Sequence, residues 1–567
     1  QAYKNRFEGI GINQVPVVLS INNESKGIYF MEDFFDKYLI EKNKKKESFI
    51  FESGFNNKFQ GSDPISKLNT DDGYFNINTL PKGRKWEGLS KRIIDLFHNN
   101  NPNELFSIID AEKLNAVIGL CFFAQDNHPL LDINLHWYYN PVNNKLEPLI
   151  RESYIHKIPT GPSIDTIWTR FYKNICKEPA LKLIEEWIIF QGEHNVKTLI
   201  TQSALKSALY IQGYIKTDSY KNFISKLNAE FSYNISKQEI IITHNISQIV
   251  SKINLIEKPV LTNDSIIAII NNITIEEDLV IDKNMTLTIN PGATITLLNN
   301  ANIYIYGKMI ALANSFKPIK FVGNENSNSA IYISSILESQ FDFCEFTGLS
   351  KLNNNLKFPL FKDVWETSSA ITLYESSNVR FNNCVFSGNR SGDDMINIVR
   401  CDTIIFSDCS FKNILFDALD SDFSNVNINS CEFVLVGNDA IDGSGSNIQI
   451  NASYFENIAD KAISAGEESH VNMLNSKIKD SELALVVKDG SLLEVKNILL
   501  ENNRMDLLAF SKKEEYAPPA FKVQNCTIIS YLIDKNAHNL GEGDYYRTSQ
   551  SIQDVLYGMQ YGKASIK

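Results

Sequence analysis

From Phe381 onward the chain repeats itself. FNNCVF begins at Phe381 and FSDCSF at Phe406, INSCEF at Ile428 and INASYF at Ile450. MLNSKI follows at Met473, VKNILL at Val495 and VQNCTI at Val523. The steps are 25, 22, 22, 23, 22 and 28 residues. Such self-similarity limits a chain to a solenoid or an array, because each unit buries its apolar face only against its neighbours. Twenty-two residues suit one coil of a right-handed parallel β-helix, with three short strands and three turns. No LxxLxL frame recurs, which excludes a leucine-rich repeat.

The columns of the repeat carry more detail. Its third position holds Asn383, Asp408, Ser430, Ala452, Asn475, Asn497 and Asn525. Small and polar residues there predict a tight turn with left-handed backbone. The fourth position holds Cys384, Cys409, Cys431 and Cys526, read as small core hydrophobes with free thiols. A serine ladder, Ser424, Ser446, Ser469 and Ser491, precedes the inward pairs Val426/Ile428, Ile448/Ile450, Val471/Met473 and Leu493/Val495.

Aligned on that ladder, the strings FDALDSDFS, NDAIDGSGS and ADKAISAGEES stack their acids. Asp417 falls beside Asp439 and Asp420 beside Asp442, while Asp422, Glu467 and Asp489 share a neighbouring column. Lys461 and Lys488 join the strip. Strands in such a sheet lie about 4.8 Å apart, so the carboxylates form one patch and raise each other's pKa. Four readings stay open. The patch is a hydrogen-bonded ladder that fixes register, or its acids pair internally with the two lysines, or it binds Ca²⁺ or a saccharide, or it does lyase or hydrolase chemistry. Ca²⁺ would take Asp417, Asp420, Asp439 and Asp442. A lyase would use Lys461 or Lys488 as base, and a hydrolase needs two carboxyls about 5–9 Å apart.

The formal net charge of −12 disfavours nucleic acid as a partner. No apolar stretch reaches the roughly 18–20 residues that span a bilayer. The eight cysteines form no CxxC pair, so a zinc or thioredoxin-like site is not expected. The opening QAYKNRFEGI lacks the apolar run of a signal peptide, and the chain is expected to begin downstream of a removed segment.

The first half follows other periods. VPVVLSI reads as a strand, and GIYFMEDFFDKYLIEKN starts as a strand and turns helical. DAEKLNAVIGLCFFAQ has an N-cap Asp110 and helical spacing. NLHWYYNPVNNKLEPLI reads as a hairpin turning at NPVNN. Helical patterns then fill much of 175–255.

Within this half, INNESKGIYFMEDFFDKYLIEKN resembles a segment of the spore-coat CotH kinase family. So does IIDAEKLNAVIGLCFFAQDNH with NLHWYYNPVNNKLEPLIRE, where a helix runs into an Asp-x-His…Asn loop and a Trp-Tyr hairpin. The resemblance covers roughly residues 5–200. It implies an atypical α+β kinase-like fold using ATP with Mg²⁺ or Mn²⁺. Asp126 would orient the acceptor hydroxyl within a catalytic loop that includes His128, with Asp132 as its rival. Asn134 and Glu152 would hold the metal, and Glu32 would pair with a phosphate-binding lysine. The chain departs from the family at this loop. Asn127 stands where the family has Arg, the His128–Asn134 spacing is longer, and Glu152 replaces Asp. Mg²⁺ demands near-octahedral geometry, so the departures imply a degenerate kinase serving as scaffold or binding module.

The expected chain is a partial kinase-like domain (1–200), a helical connector (201–262), an all-β right-handed parallel β-helix (263–530) and a tail (531–567). The expected protein is a secreted or surface bacterial one with a protein or cell-surface glycan as partner. Its alternatives are an active secreted ATP-dependent kinase and a β-helix that binds or processes polysaccharide.

Overall fold

The computed structural model describes residues 9–12, 14–52, 136–149, 265–352 and 367–548, with short stretches at 89–90, 93, 108–114, 116–117 and 552. The chain forms two compact units that divide near Thr262.

In the first unit, β1 (Gln14–Ile21) and β2 (Glu24–Glu32) pair antiparallel. The turn between them places Asn22 and Asn23 at φ 52° and 65°, the left-handed pair that a tight hairpin requires. Helix α1 (Lys37–Lys42) begins at Asp36, whose carboxylate accepts from the Leu39 amide at 3.0 Å. A second sheet joins β3 (Ile50–Glu52), β4 (His136–Asn140) and β5 (Lys145–Leu149). The strand, strand-to-helix and hairpin expectations all hold here. Asp110 caps its helix as expected, accepting from the Lys113 amide at 3.0 Å. Fully buried Glu147 on β5 accepts from Asn140 Nδ2 at 2.6 Å and lies 3.4 Å from Lys113 Nζ.

The second unit is a parallel β-solenoid. Each coil gives one strand to each of three parallel sheets of ten, eleven and twelve strands. Parallel strands within one sheet need crossovers, and the other two strands of the coil supply them. The predicted turn column is present throughout: Asn383, Asp408, Ser430, Ala452, Asn475, Asn497 and Asn525 all have φ between 50° and 57°. The serine ladder works through the main chain. The amides of Ser424, Ser446 and Ser469 donate to Oγ of Ser446, Ser469 and Ser491 at 3.0, 3.0 and 3.1 Å. Each rung thereby satisfies a buried N–H that would otherwise be costly.

The interior is a seam of aliphatic and aromatic side chains. Phe321, Phe346, Phe386, Phe411, Phe433 and Phe455 stack face to face with centroids 4.6–5.0 Å apart. That spacing is the distance between strands, so the sheet sets the stacking. Cys384, Cys409 and Cys431 are buried free thiols, as expected, while Cys526 is only half buried. Cys344 extends the same column one coil earlier, where FDFCEF starts 40 residues before Phe381. Strands Tyr531–Ile533 and His538–Asn539 continue the solenoid into the stretch read as the tail. Toward this end the outer face of the eleven-stranded sheet is apolar. Leu483, Val486, Leu508 and Phe510 pack there with Ile552.

Candidate functional site

The acidic strip lies on the outer face of the eleven-stranded sheet. Strand Asp417–Asp422 pairs with Ile441–Ser444, which pairs with Lys461–Gly466, which pairs with Leu483–Lys488. Alternation puts Leu419, Ile441 and Ile463 inside and leaves Asp420, Asp442 and Ser464 as one outward row. The expected stacking of Asp420 on Asp442 is therefore present. Asp439 follows Asp417 directly, its amide donating to Asp417 Oδ1 at 2.8 Å.

One expected column is corrected. Asp422 pairs with Ser444, and Ser444 with Gly466, so Glu467 is not in register with Asp422. Glu467 and Asp489 are extra turn residues at φ 51° and 52°. Each inserts between its strand's end and the ladder serine, which shifts the count by one. Asp489 instead accepts from the amides of Lys512 and Lys513 at 2.6 and 2.8 Å. Glu467 accepts from Ser444 Oγ at 2.9 Å and pairs with Lys513 at 2.9 Å.

Lysines answer part of the acidic charge. Lys461 Nζ donates to both carboxylate oxygens of Asp439, at 3.1 and 3.2 Å, and to Asp460 Oδ2 at 2.7 Å. Burial opposes the charge on Lys461, but Asp439 and Asp460 outweigh it and hold the amine well above its usual range. Asp439 is 2% exposed. Burial pushes its carboxyl up to about 7 against the pull of Lys461. Asp394 is likewise pushed up to about 7 by burial. Burial and the neighbouring acids also raise Asp417 and Asp420. Asp442 goes the other way: burial acts to raise it, yet Lys488 and Lys461 more than offset that and keep it below the usual carboxylate value.

Sequence reasoning missed how Lys488 is held. Its stem lies across Gly466, where a Cβ would stand 2.7 Å from Lys488 Cε. The glycine leaves room for the lysine to lie there, and its φ is not left-handed.

Among the described residues, no group of three or more His, Cys, Asp or Glu side chains is arranged to hold a metal ion. No helix there is long and apolar enough to cross a membrane. Of the residues drawn from the CotH resemblance, Glu32 closes β2 opposite Gln14. Asp126, His128, Asp132, Asn134 and Glu152 lie outside the described residues.

No family model matches this chain, and no curated protein matches it. Solved structures with some likeness include a tailspike of an Acinetobacter phage, at 10% identity and TM-score 0.29. The match covers 50% of this chain and 59% of the tailspike, so the chain spans less than two thirds of that relative's length. The catalytic domain of a GH87 alpha-1,3-glucanase matches at 11% identity and TM-score 0.29, over 52% of this chain and 70% of that one. Pectate lyase Pel9A matches at 12% and 0.26, over 49% and 78%. The likeness is loose, and the strand pairing by itself establishes the solenoid.

Proposed function

We propose that this chain is a carbohydrate-active β-helix protein whose glycan site is the polar strip around Asp417, Asp439, Asp442, Lys461 and Lys488. The supporting observation is that one strip of stacked carboxyls and lysines shifts its acids in opposite directions. Asp439 is pushed up to about 7 by burial, while Lys488 and Lys461 hold Asp442 ionised. Environments that separate two carboxyls in this way mark acid and base roles. A carboxyl that titrates near neutrality can pass a proton to the oxygen of a departing sugar. An ionised carboxylate beside it accepts hydroxyl hydrogen bonds and stabilises positive charge growing on the ring. The lysine-paired strip leaves Ca²⁺ less favoured here than a saccharide, because two ammonium groups already supply positive charge. No observation among the described residues bears on phosphate transfer, so the proposal rests on the β-helix alone. A glycan partner agrees with the expectation of a secreted or surface protein.

The test is release of new reducing or unsaturated ends by the full chain across a polysaccharide panel. Asp439→Asn should slow release by roughly a hundredfold or more, the usual scale for a general acid. The wild-type rate should fall as pH rises through about 7, because the proton on Asp439 is lost there. Release that is unchanged in Asp439→Asn, or absent with every polysaccharide, would defeat this reading.

A further inference from the structure

Two groups of opposite charge on the outer face stay open. Lys488 is 8% exposed, and its ammonium makes no hydrogen bond or ion pair among the described residues. Asp442 Oδ1 is buried and has no hydrogen-bond partner there. The two belong to one sheet, with strand Lys461–Gly466 between their strands. Each is the other's main source of opposite charge, yet they do not close as an ion pair. Leaving Asp442 Oδ1 open costs free energy, since a buried acceptor without a partner forfeits its hydration. Gly466 gives the lysine its place, since a Cβ there would stand 2.7 Å from Lys488 Cε and push the end of the side chain aside.

The chemistry of the gap selects what fills it. An ammonium offers only donors and a carboxylate only acceptors. A hydroxyl does both, so the hydroxyls of one sugar suit both groups. An anionic ligand would face Asp442, Asp439, Asp460 and Glu467, and a cation would face Lys461, Lys488, Lys512 and Lys513, so this mixed neighbourhood favours neither sign of ligand charge. We propose that Lys488 and Asp442 form a subsite for adjacent hydroxyls of a neutral sugar, so that the glycan taken by this face is neutral and not a polyuronate. The assignment rests on the carbohydrate reading given above. It goes further by naming the ligand class and the two residues that select it.

The experiment is calorimetric binding to the full-length chain. The ligands are neutral gluco-, manno-, galacto- and xylo-oligosaccharides, with oligouronates alongside. The wild type should bind a neutral oligosaccharide and prefer it to any uronate. Lys488→Met keeps the stem over Gly466 and removes the ammonium. It should weaken binding roughly tenfold to a hundredfold, the scale of one hydrogen bond to a charged group. Asp442→Asn should weaken it in the same range. If Lys488→Met loses its cooperative melt, Lys488→Arg keeps the charge with a different reach and should show the same loss. A preferred uronate, or neutral-sugar binding indifferent to Lys488 and Asp442, overturns the subsite and leaves the carbohydrate reading standing. No binding to any saccharide overturns both.

Discussion

At the scale of single residues, the strip is a contest between burial and charge. Asp439 shows how it is decided. Its carboxyl faces Lys461, Asp460, Asp442 and Lys488, and burial is the largest influence on it. A folded-state pKa near 7, above the ordinary value of 3.8, means that the native state binds the extra proton. Stability contributed by that proton is complete below about pH 4 and is lost as pH rises through about 7. The melting temperature should therefore fall between these limits. In Asp439→Asn, which cannot ionise, that part of the fall should vanish, and a series of melts at stepped pH would show it. Little of this was legible beforehand. The repeat shows which acids stack, but not which ones the fold buries or which lysine stem reaches across a strand. Nothing in the repeat marks Gly466 as the residue over which Lys488 lies.

At the scale of elements, the 22-residue step was legible because its causes are local. A left-handed turn needs a small or polar residue, and an inward position needs an apolar one, so both leave marks at fixed offsets. The register of Asp420 on Asp442 followed from the serine ladder, whose Oγ atoms accept from the preceding rung. The same ladder misled at Glu467, where one extra turn residue shifts the count without changing the strands. In the first unit, the Asp110 cap and the hairpin turning at Asn144 were legible for the same reason, each being set by a few neighbouring residues. The aromatic stack is the element whose loss should cost most. Phe411 lies between Phe386 and Phe433 with both rings under 5 Å away. Phe411→Ala should destabilise the solenoid by about 3–5 kcal/mol, the usual cost of emptying a buried phenylalanine site. Urea titration of the two proteins would measure the difference.

At the scale of the whole molecule, the β-helix is a one-dimensional stack in which each coil meets only the coils beside it. Its stability is then a sum over rungs and their contacts. The rungs are unequal. Phenylalanines fill the seam from Phe321 to Phe455, and aliphatic side chains such as Ile478 take over beyond it. The first coil is less well covered, with Ile266 and Ile270 each more than three-fifths exposed. Amide exchange should accordingly be slowest in the coils from about 380 to 460 and faster toward each end. Uniform exchange along the stack would count against this. The outer face of the eleven-stranded sheet has an order of its own. Its polar rows run through Asp394, Asp417, Asp439 and Lys461, and then give way to Leu483 and the apolar patch closed by Ile552. Four rungs, separated by three intervals of about 4.8 Å, set a track some 14 Å long. A linear ligand on this row meets apolar Leu483 at one edge of the strand Leu483–Lys488 while Lys488 keeps the other edge polar, so the face sets a direction as well as offering a surface.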